Sequence, residues 1–325
     1  MHIAYSGVHQ FSISPLRDFS GMLLLLTTSY SSINHIVPLL EMRRIEYFRM
    51  DMDCYWKYRF RLADNEFEIS SPDGRSISSR SVSMVALFKA QMFIEDPFPE
   101  GKGIDSPRWV HSSLNSVLLC LVRWAIDRRM LKLWTPYELL YPKTLQMHRA
   151  RKYFRVPSYC ISWGYEMDSC IRIMKPINGR PMDNGAYIYA RLMDVHDLSP
   201  EYPWFTQEPA KGNRDATVLF INGKVHCFQF ATERGDLTDW RVTQGTEANK
   251  WEPWNAGEEF EGKIRAYMHD MGLKFGRLDF IIGGEEPEFL EVNPCGQFGW
   301  LDDDSLALHN EILDAILDPS SVIIL

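Results

Sequence analysis

Two stretches near the carboxyl end of the chain set hard oxygen donors at a fixed spacing. Leu278-Asp279-Phe280-Ile281-Ile282 and Glu288-Phe289-Leu290-Glu291-Val292-Asn293 flank Gly283-Gly284-Glu285-Glu286-Pro287, a pattern that predicts a β-hairpin. Residues i and i+2 of a strand share a face, so Glu291 and Asn293 project together, and a turn centred near residue 285 sets Asp279 opposite Glu291. Two carboxylates and an amide oxygen then converge among Phe280, Ile282, Phe289 and Val292, where unbalanced negative charge is costly. A hard cation is the natural partner. Mg²⁺ fits best, because it takes a few carboxylate or amide oxygens and completes its shell with water and phosphate. The alternative is a hairpin whose polar face simply meets water.

The rest of the chain must position that hairpin. Its 325 residues are 45% hydrophobic and 24% charged, an ordinary globular balance that excludes disordered and low-complexity classes. No apolar run approaches the roughly 20 residues of a membrane span, and the first twenty residues lack the pattern of a secretory signal. A cytoplasmic location and no membrane partner are expected. Cys54, Cys120, Cys160, Cys170, Cys227 and Cys295 form no CxxC pair, which argues against a zinc site and a disulfide framework. A formal charge of −8 disfavours nucleic acid as a partner. One basic stretch stands out: residues 121–155 carry nine Lys and Arg against Asp127 and Glu138, either a solvated helix face or an attractor of a polyanion.

Residues 22–28 predict a buried strand, 32–44 a helix and 45–52 a second strand. Alternation over 55–69 and the Ser71-Pro72-Asp73-Gly74 turn predict a hairpin or small sheet. Residues 95–108 read as a linker. Helices are expected over 112–129 and 143–155, the latter closed by Pro157, and strands over 158–163, 169–174, 186–191, 216–221 and 224–230, with Asn222-Gly223 as a tight turn. A helix around Phe260, Ile264, Tyr267, Met268 and Met271 ends at Gly272, and a last helix covers 305–317. Strands mixed with helices, several of them in hairpins, indicate an α+β class.

Within that frame, Asp279 followed by Glu291-Val292-Asn293-Pro294 resembles the ATP-grasp superfamily, whose last strands carry an acidic residue and then Glu-x-Asn as metal ligands. Upstream, Lys143-Thr144-Leu145-Gln146 is similar to the opening helix of that fold, and Lys175-Pro176 to its second nucleotide lysine. Asn178-Gly179-Arg180 and Asp183-Asn184-Gly185 resemble the loop over the triphosphate, and Gln207-Glu208 the adenine-holding connection. Arg214 and Asp239-Trp240-Arg241 look like phosphate- and substrate-facing positions. The Asp-Trp-Arg run together with Pro294-Cys295-Gly296-Gln297-Phe298-Gly299-Trp300 most resembles the microviridin-type, or graspetide, peptide maturases, which are related to the ligases that add glutamate to a ribosomal protein.

The resemblance implies an ATP-grasp fold of two α+β lobes clasping ATP, residues 135–206 and 207–325. An α/β domain with a linking helix precedes it over 22–134, and residues 1–21 form an extension. It implies ATP held by Lys143, Lys175, Gln207, Glu208, Gly179 and Gly185, Mg²⁺ held by Asp279, Glu291 and Asn293, and catalysis by Arg241, Arg214 and Asp239. The implied substrate is a ribosomal precursor peptide with a leader and a core rich in acidic, Thr, Ser or Lys residues, crosslinked through side-chain esters or amides. Relatives of this kind are often homodimers. The nucleotide residues fit equally a ligase acting on a small molecule or a protein terminus, and a protein that senses ATP without turnover remains a third reading.

Overall fold

The computed structural model describes residues 21–63, 66–89, 107–134, 142–163, 171–177, 189–233 and 250–324. The run Met22–Thr27 is apolar throughout because both of its faces are covered. As strand β1 it pairs in parallel with β2 (Tyr47–Asp51) on one side and with β6 (Val82–Leu87) on the other. Leu23 and Leu25 enter one core and Leu24 and Leu26 another, the strand alternation that a doubly covered parallel sheet requires. A single 3₁₀ turn and helix α1 (Ile36–Met42) connect β1 to β2. The antiparallel strands β3 (Arg59–Ala63), β4 (Glu66–Ser70) and β5 (Ser76–Ser78) intervene before β6, with the Ser71–Gly74 turn between β4 and β5. Helix α2 (Pro107–Asp127) then leads to β7 (Leu131–Lys132), so the parallel sheet has the order β2-β1-β6-β7. The helix expected from residue 112 starts at Pro107, a residue suited to a first helical turn.

Helix α3 (Lys143–Ala150) precedes a four-stranded antiparallel sheet of β8 (Tyr159–Ser162), β9 (Ile171–Lys175), β10 (Arg191–Asp194) and β11 (Trp204–Gln207), in the order β10-β9-β11-β8. Two expectations are corrected here. The helix expected over 143–155 stops at Ala150, because Phe154 must turn into an aromatic cluster with Phe280 and Phe289, and Arg155 must lie beside the strand that carries Glu288. The strand expected over 186–191 begins only at Arg191 and runs to Asp194, set by its register of Arg191 on Met174 and Asp194 on Ile171; residues 186–188 lie outside the described residues.

The third sheet is built from β12 (Arg214–Ile221), β13 (Lys224–Phe230), β14 (Trp251–Pro253), β15 (Phe275–Ile282) and β16 (Glu288–Asn293), in the order β14-β13-β12-β15-β16. Asn222 and Gly223 both have positive φ, +44° and +100°, the geometry of a tight primed turn between β12 and β13. Helix α4 (Glu258–Asp270) covers one face with Ile264, Tyr267 and Met268 buried on Phe280 and Phe289. Gly272 at φ +66° then closes α4, its N–H on the His269 carbonyl. The last helix, α5 (Ala307–Leu317), packs Leu308, Ile312 and Ile316 into the same core as Leu23, Leu25 and Phe275. That shared core fastens the end of the chain to the first sheet. No described helix is long and apolar enough to cross a membrane.

At least four of the nine basic residues in 121–155 have local partners. Arg123 pairs with Asp127 at 2.8 Å, Arg128 lies over Trp124, Arg151 over Tyr159, and Arg155 pairs with Glu288 at 2.9 Å.

Candidate active site

The alternation of β15 and β16 sorts their residues. Leu278, Phe280, Ile282, Phe289 and Val292 enter the core under α3 and α4, which leaves Arg277, Asp279, Glu291 and Asn293 on the opposite face. Asp279 stands opposite Glu291 and Arg277 opposite Asn293, the pairing that the turn position predicts. A bulge between Asp279 and Phe280 absorbs one residue of β16 and keeps Phe280 against Phe289. Thr217, opposite Asp279 on β12, donates its hydroxyl to Asp279 Oδ1 at 2.9 Å, and Arg277 reaches Asp279 Oδ2 at 3.1 Å. The Arg277 guanidinium also donates to the Gln297 carbonyl at 3.1 Å and lies over the Trp300 ring. Asn293 Oδ1 accepts from the Cys295 backbone N–H at 3.3 Å. Gly296 permits this closeness, since a Cβ there would lie 2.8 Å from the Arg277 Cβ.

Lys143, the first residue of α3, brings its Nζ to 2.9 Å from Glu291 Oε2, with the two side chains 19% and 29% exposed. Gln146 fixes that approach. It is buried, and its Oε1 accepts from the Val292 backbone N–H at 3.1 Å, tying α3 to the edge of β16. The same Lys143 ammonium lies 5.3 Å above the Phe205 ring on β11. Phe205 stacks on Tyr159 at 5.6 Å and is opposite Lys175, whose Nζ donates to Gln207 Oε1 at 3.0 Å. One face of the small sheet therefore carries a stacked aromatic pair whose Phe205 is buried in the core, a buried amide and a lysine, and Lys143 bridges it to the hairpin.

The chain thus brings together Lys143, Lys175, Gln207, Asp279, Glu291 and Asn293. Glu208 is exposed one residue beyond β11, with its N–H on the Ser158 carbonyl. Arg214 opens β12 three residues before Thr217. Alternation therefore turns it to the other face of the sheet, 3.9 Å from Glu252. Gly179, Gly185, Asp239 and Arg241 lie outside the described residues. Arg277 was legible but not singled out: it sits two residues before Asp279 on the same strand, and period-two alternation alone puts it at the site. Thr217 was not legible, because its pairing with Asp279 joins strands 62 residues apart.

Among the described residues, no three His, Cys, Asp or Glu side chains gather to hold a metal. The cation-binding candidate is two carboxylates plus one amide oxygen, with no thiolate or imidazole. That donor chemistry suits a small hard cation sharing its shell with phosphate and water, and does not suit zinc. Burial pushes the Cys295 thiol up to about 11, so it is a neutral neighbour of the site.

No protein-family model matches the sequence, and no curated protein matches it either. Solved structures do. A ribosomal-peptide-associated ATP-grasp ligase from Chryseobacterium gregarium, in complex with ADP and a leader and core peptide, superposes with a TM-score of 0.76 at 18% identity, covering 94% of this chain and 100% of that one. The macrocyclase MdnC of Microcystis aeruginosa MRC, bound to its precursor peptide MdnA, gives 0.72 at 19% identity over 91% and 99%. D-alanine–D-alanine ligase from Bacillus anthracis, complexed with ATP, gives 0.50 at 13% over 92% and 96%. At these identities the likeness is one of architecture, and it settles the architecture: the chain has the α+β ATP-grasp fold.

Proposed function

We propose that this chain is an ATP-dependent ligase that activates carboxylates, and that its substrate is a ribosomally made precursor peptide whose Asp or Glu side chains it joins to Thr or Ser hydroxyls or Lys amines. The observation that carries the reading is the cluster of Asp279, Glu291 and Asn293 on one sheet face with Lys143 at 2.9 Å, next to the aromatic and amide surface of β8, β9 and β11. The lysines suit nucleotide phosphates. The choice of a peptide substrate is supported by the fold shared with ligases solved with leader, core or precursor peptides.

Lys143 and Lys175 would hold the phosphates, with Gln207 buried beside them. Asp279, Glu291 and Asn293 would hold a Mg²⁺, which would supply positive charge beside the phosphates. The substrate carboxylate attacks the γ-phosphorus, ADP leaves, and the acyl phosphate is then attacked by the hydroxyl or amine to release phosphate. Positioning and charge stabilisation carry such a transfer. Arg277, fixed by Asp279 and the Gln297 carbonyl, is placed to steady the anion; Arg241 is our candidate for orienting the acyl phosphate.

The test is the intact mass of a short peptide rich in Thr, Ser or Lys and in Asp or Glu, sought among the reading frames neighbouring this one, after incubation with protein, ATP and Mg²⁺. Loss of one water per crosslink is the expected outcome. ATP binding with an unchanged peptide would leave a ligase of another acceptor, and the fold shared with D-alanine–D-alanine ligase makes a small molecule the next acceptor to try.

A further inference from the structure

The first sheet delivers a cation to this site that the reading above does not use. From β1 the chain moves to β2 on one side and then crosses to β6 on the other. β1 and β6 therefore flank a topological switch point, the place where open parallel sheets hold ligands beyond the carboxyl ends of their strands. Leu87 ends β6, the Phe88 N–H still bonds the Leu26 carbonyl at 2.9 Å, and Lys89 follows with φ +49°. A non-glycine residue in that left-handed region costs about 1 kcal/mol or more.

Phe88 fixes where Lys89 sits. It is fully buried, with its ring 5.0 Å from Trp134, 5.9 Å from Phe298 and 6.4 Å from Phe275. Phe275 lies two residues before Arg277, and Phe298 directly follows Gln297, whose carbonyl binds the Arg277 guanidinium. Lys89 therefore emerges against Arg277 and the residue 295–297 loop, with its backbone N–H on the Cys295 sulfur. Burial first, and the Arg277 charge second, bring the Lys89 ammonium down to about 8, which still leaves it mostly charged at neutral pH.

Among the described residues no carboxylate pairs with Lys89. The Arg277 fork is partly committed to Asp279 and Gln297, while its buried Nε–H has no partner among the described residues. Arg277 is buried and Lys89 half-buried, and folded chains pair charges withdrawn from water. Of these two neighbouring cations only Arg277 has a carboxylate partner, Asp279, so the pair carries a surplus of positive charge that an oxyanion would remove.

We propose that Lys89 is a substrate-binding residue that joins Arg277 in an oxyanion subsite, built where the first sheet meets the β15–β16 hairpin, and that this subsite holds the carboxylate undergoing activation and the acyl phosphate formed from it. The identity of the anion rests on the ligase reading; the subsite itself rests on the Lys89–Arg277 pair.

The experiment titrates inorganic phosphate into the full chain, with and without MgADP, and follows ³¹P line broadening. Wild type is expected to bind phosphate, Lys89→Met to bind it at least about tenfold more weakly, and Lys89→Arg to stay within about threefold of wild type. Loss of a half-buried charge without a carboxylate partner also predicts that Lys89→Met melts no lower than wild type. Should that variant fail to fold, Lys89→Gln replaces it as the neutral form. Equal phosphate affinity in wild type and the neutral variant overturns the proposal, as does a wild type that binds no phosphate under either condition. MgADP is titrated separately into wild type: failure there overturns the ligase reading, while the nucleotide-free phosphate titration still decides on the subsite.

Discussion

The β15–β16 hairpin and the β8–β11 sheet hold their halves of the site by opposite means. On the hairpin the oxygen donors are already engaged: Asp279 by Thr217 and Arg277, Glu291 by Lys143, and Asn293 by a backbone N–H. On the small sheet the surface is made by stacking, Tyr159 on Phe205, with the buried Gln207 amide receiving Lys175. A charge-balanced surface must exchange partners when a polyanion arrives, whereas the stack, with Phe205 fully buried, holds its geometry through packing. Lys143 belongs to both halves, since it pairs with Glu291 and lies over Phe205. Binding of nucleotide phosphate and of a cation at Glu291 are therefore expected to be coupled through this one side chain.

The sharpest way to break the comparison is at the hairpin. Glu291→Gln keeps size and hydrogen-bonding shape but removes the charge that a cation would need, so ATP turnover should fall by about a thousandfold with the melting temperature little changed. Release of ADP at a rate near wild type would contradict the metal assignment. Lys143→Met tests the side chain common to both halves. It retains the stem over Phe205 but leaves Glu291 unbalanced, and nucleotide affinity should drop about a hundredfold together with a lower melting temperature. Affinity measured by calorimetry and melting by scanning calorimetry separate the two effects; a loss of stability without a loss of affinity would make Lys143 a structural ion-pair partner only.

The two halves also differed in how well the sequence exposed them. The hairpin was legible because its chemistry is local: alternation and one turn position are enough to set Asp279 against Glu291, even though the bulge after Asp279 was not foreseen. Lys143 and Lys175 could be found only through a resemblance, since nothing local says that a lysine opening a short helix will reach a strand that begins at Glu288. The strand expected over 186–191 shows the same limit: residues 189 and 190 lie outside β10, whose start at Arg191 is set by register with β9. Thr217 and Lys89 were invisible for that reason too. Each enters the site by pairing or packing between segments remote in sequence, and Lys89 does so from a different sheet.

Smaller perturbations sharpen the contrast from the apolar side. Phe205→Leu keeps a hydrophobic side chain in a fully buried position but removes the stack on Tyr159 and the ring beneath Lys143. It should cost about 1–2 kcal/mol of stability and weaken nucleotide binding several-fold. Unchanged denaturant and nucleotide titrations would show that the stack is incidental.

The smallest effect is expected where charges pair outside the site. Glu311 on α5 meets His226 at 2.7 Å and Lys224 at 3.2 Å on β13. Burial pushes its carboxyl up, yet the hydrogen bonds and charges of His226 and Lys224 outweigh that and hold it below its ordinary value. A carboxylate lowered in the folded state contributes stability that is fully present above the unfolded value of about 4.3 and lost as pH falls through the lower, folded value. Glu311→Gln should therefore cost only about 0.5–1 kcal/mol at neutral pH, because the cluster is partly open to solvent, and the gap between variant and wild-type melting temperatures should close as pH falls below about 4. ATP turnover should be unaffected, in contrast to the Glu291 variant, since Glu311 balances charge between a helix and a strand while Glu291 balances it where a ligand must enter. A gap that persists undiminished to low pH would mean that Glu311 contributes through packing rather than through its charge.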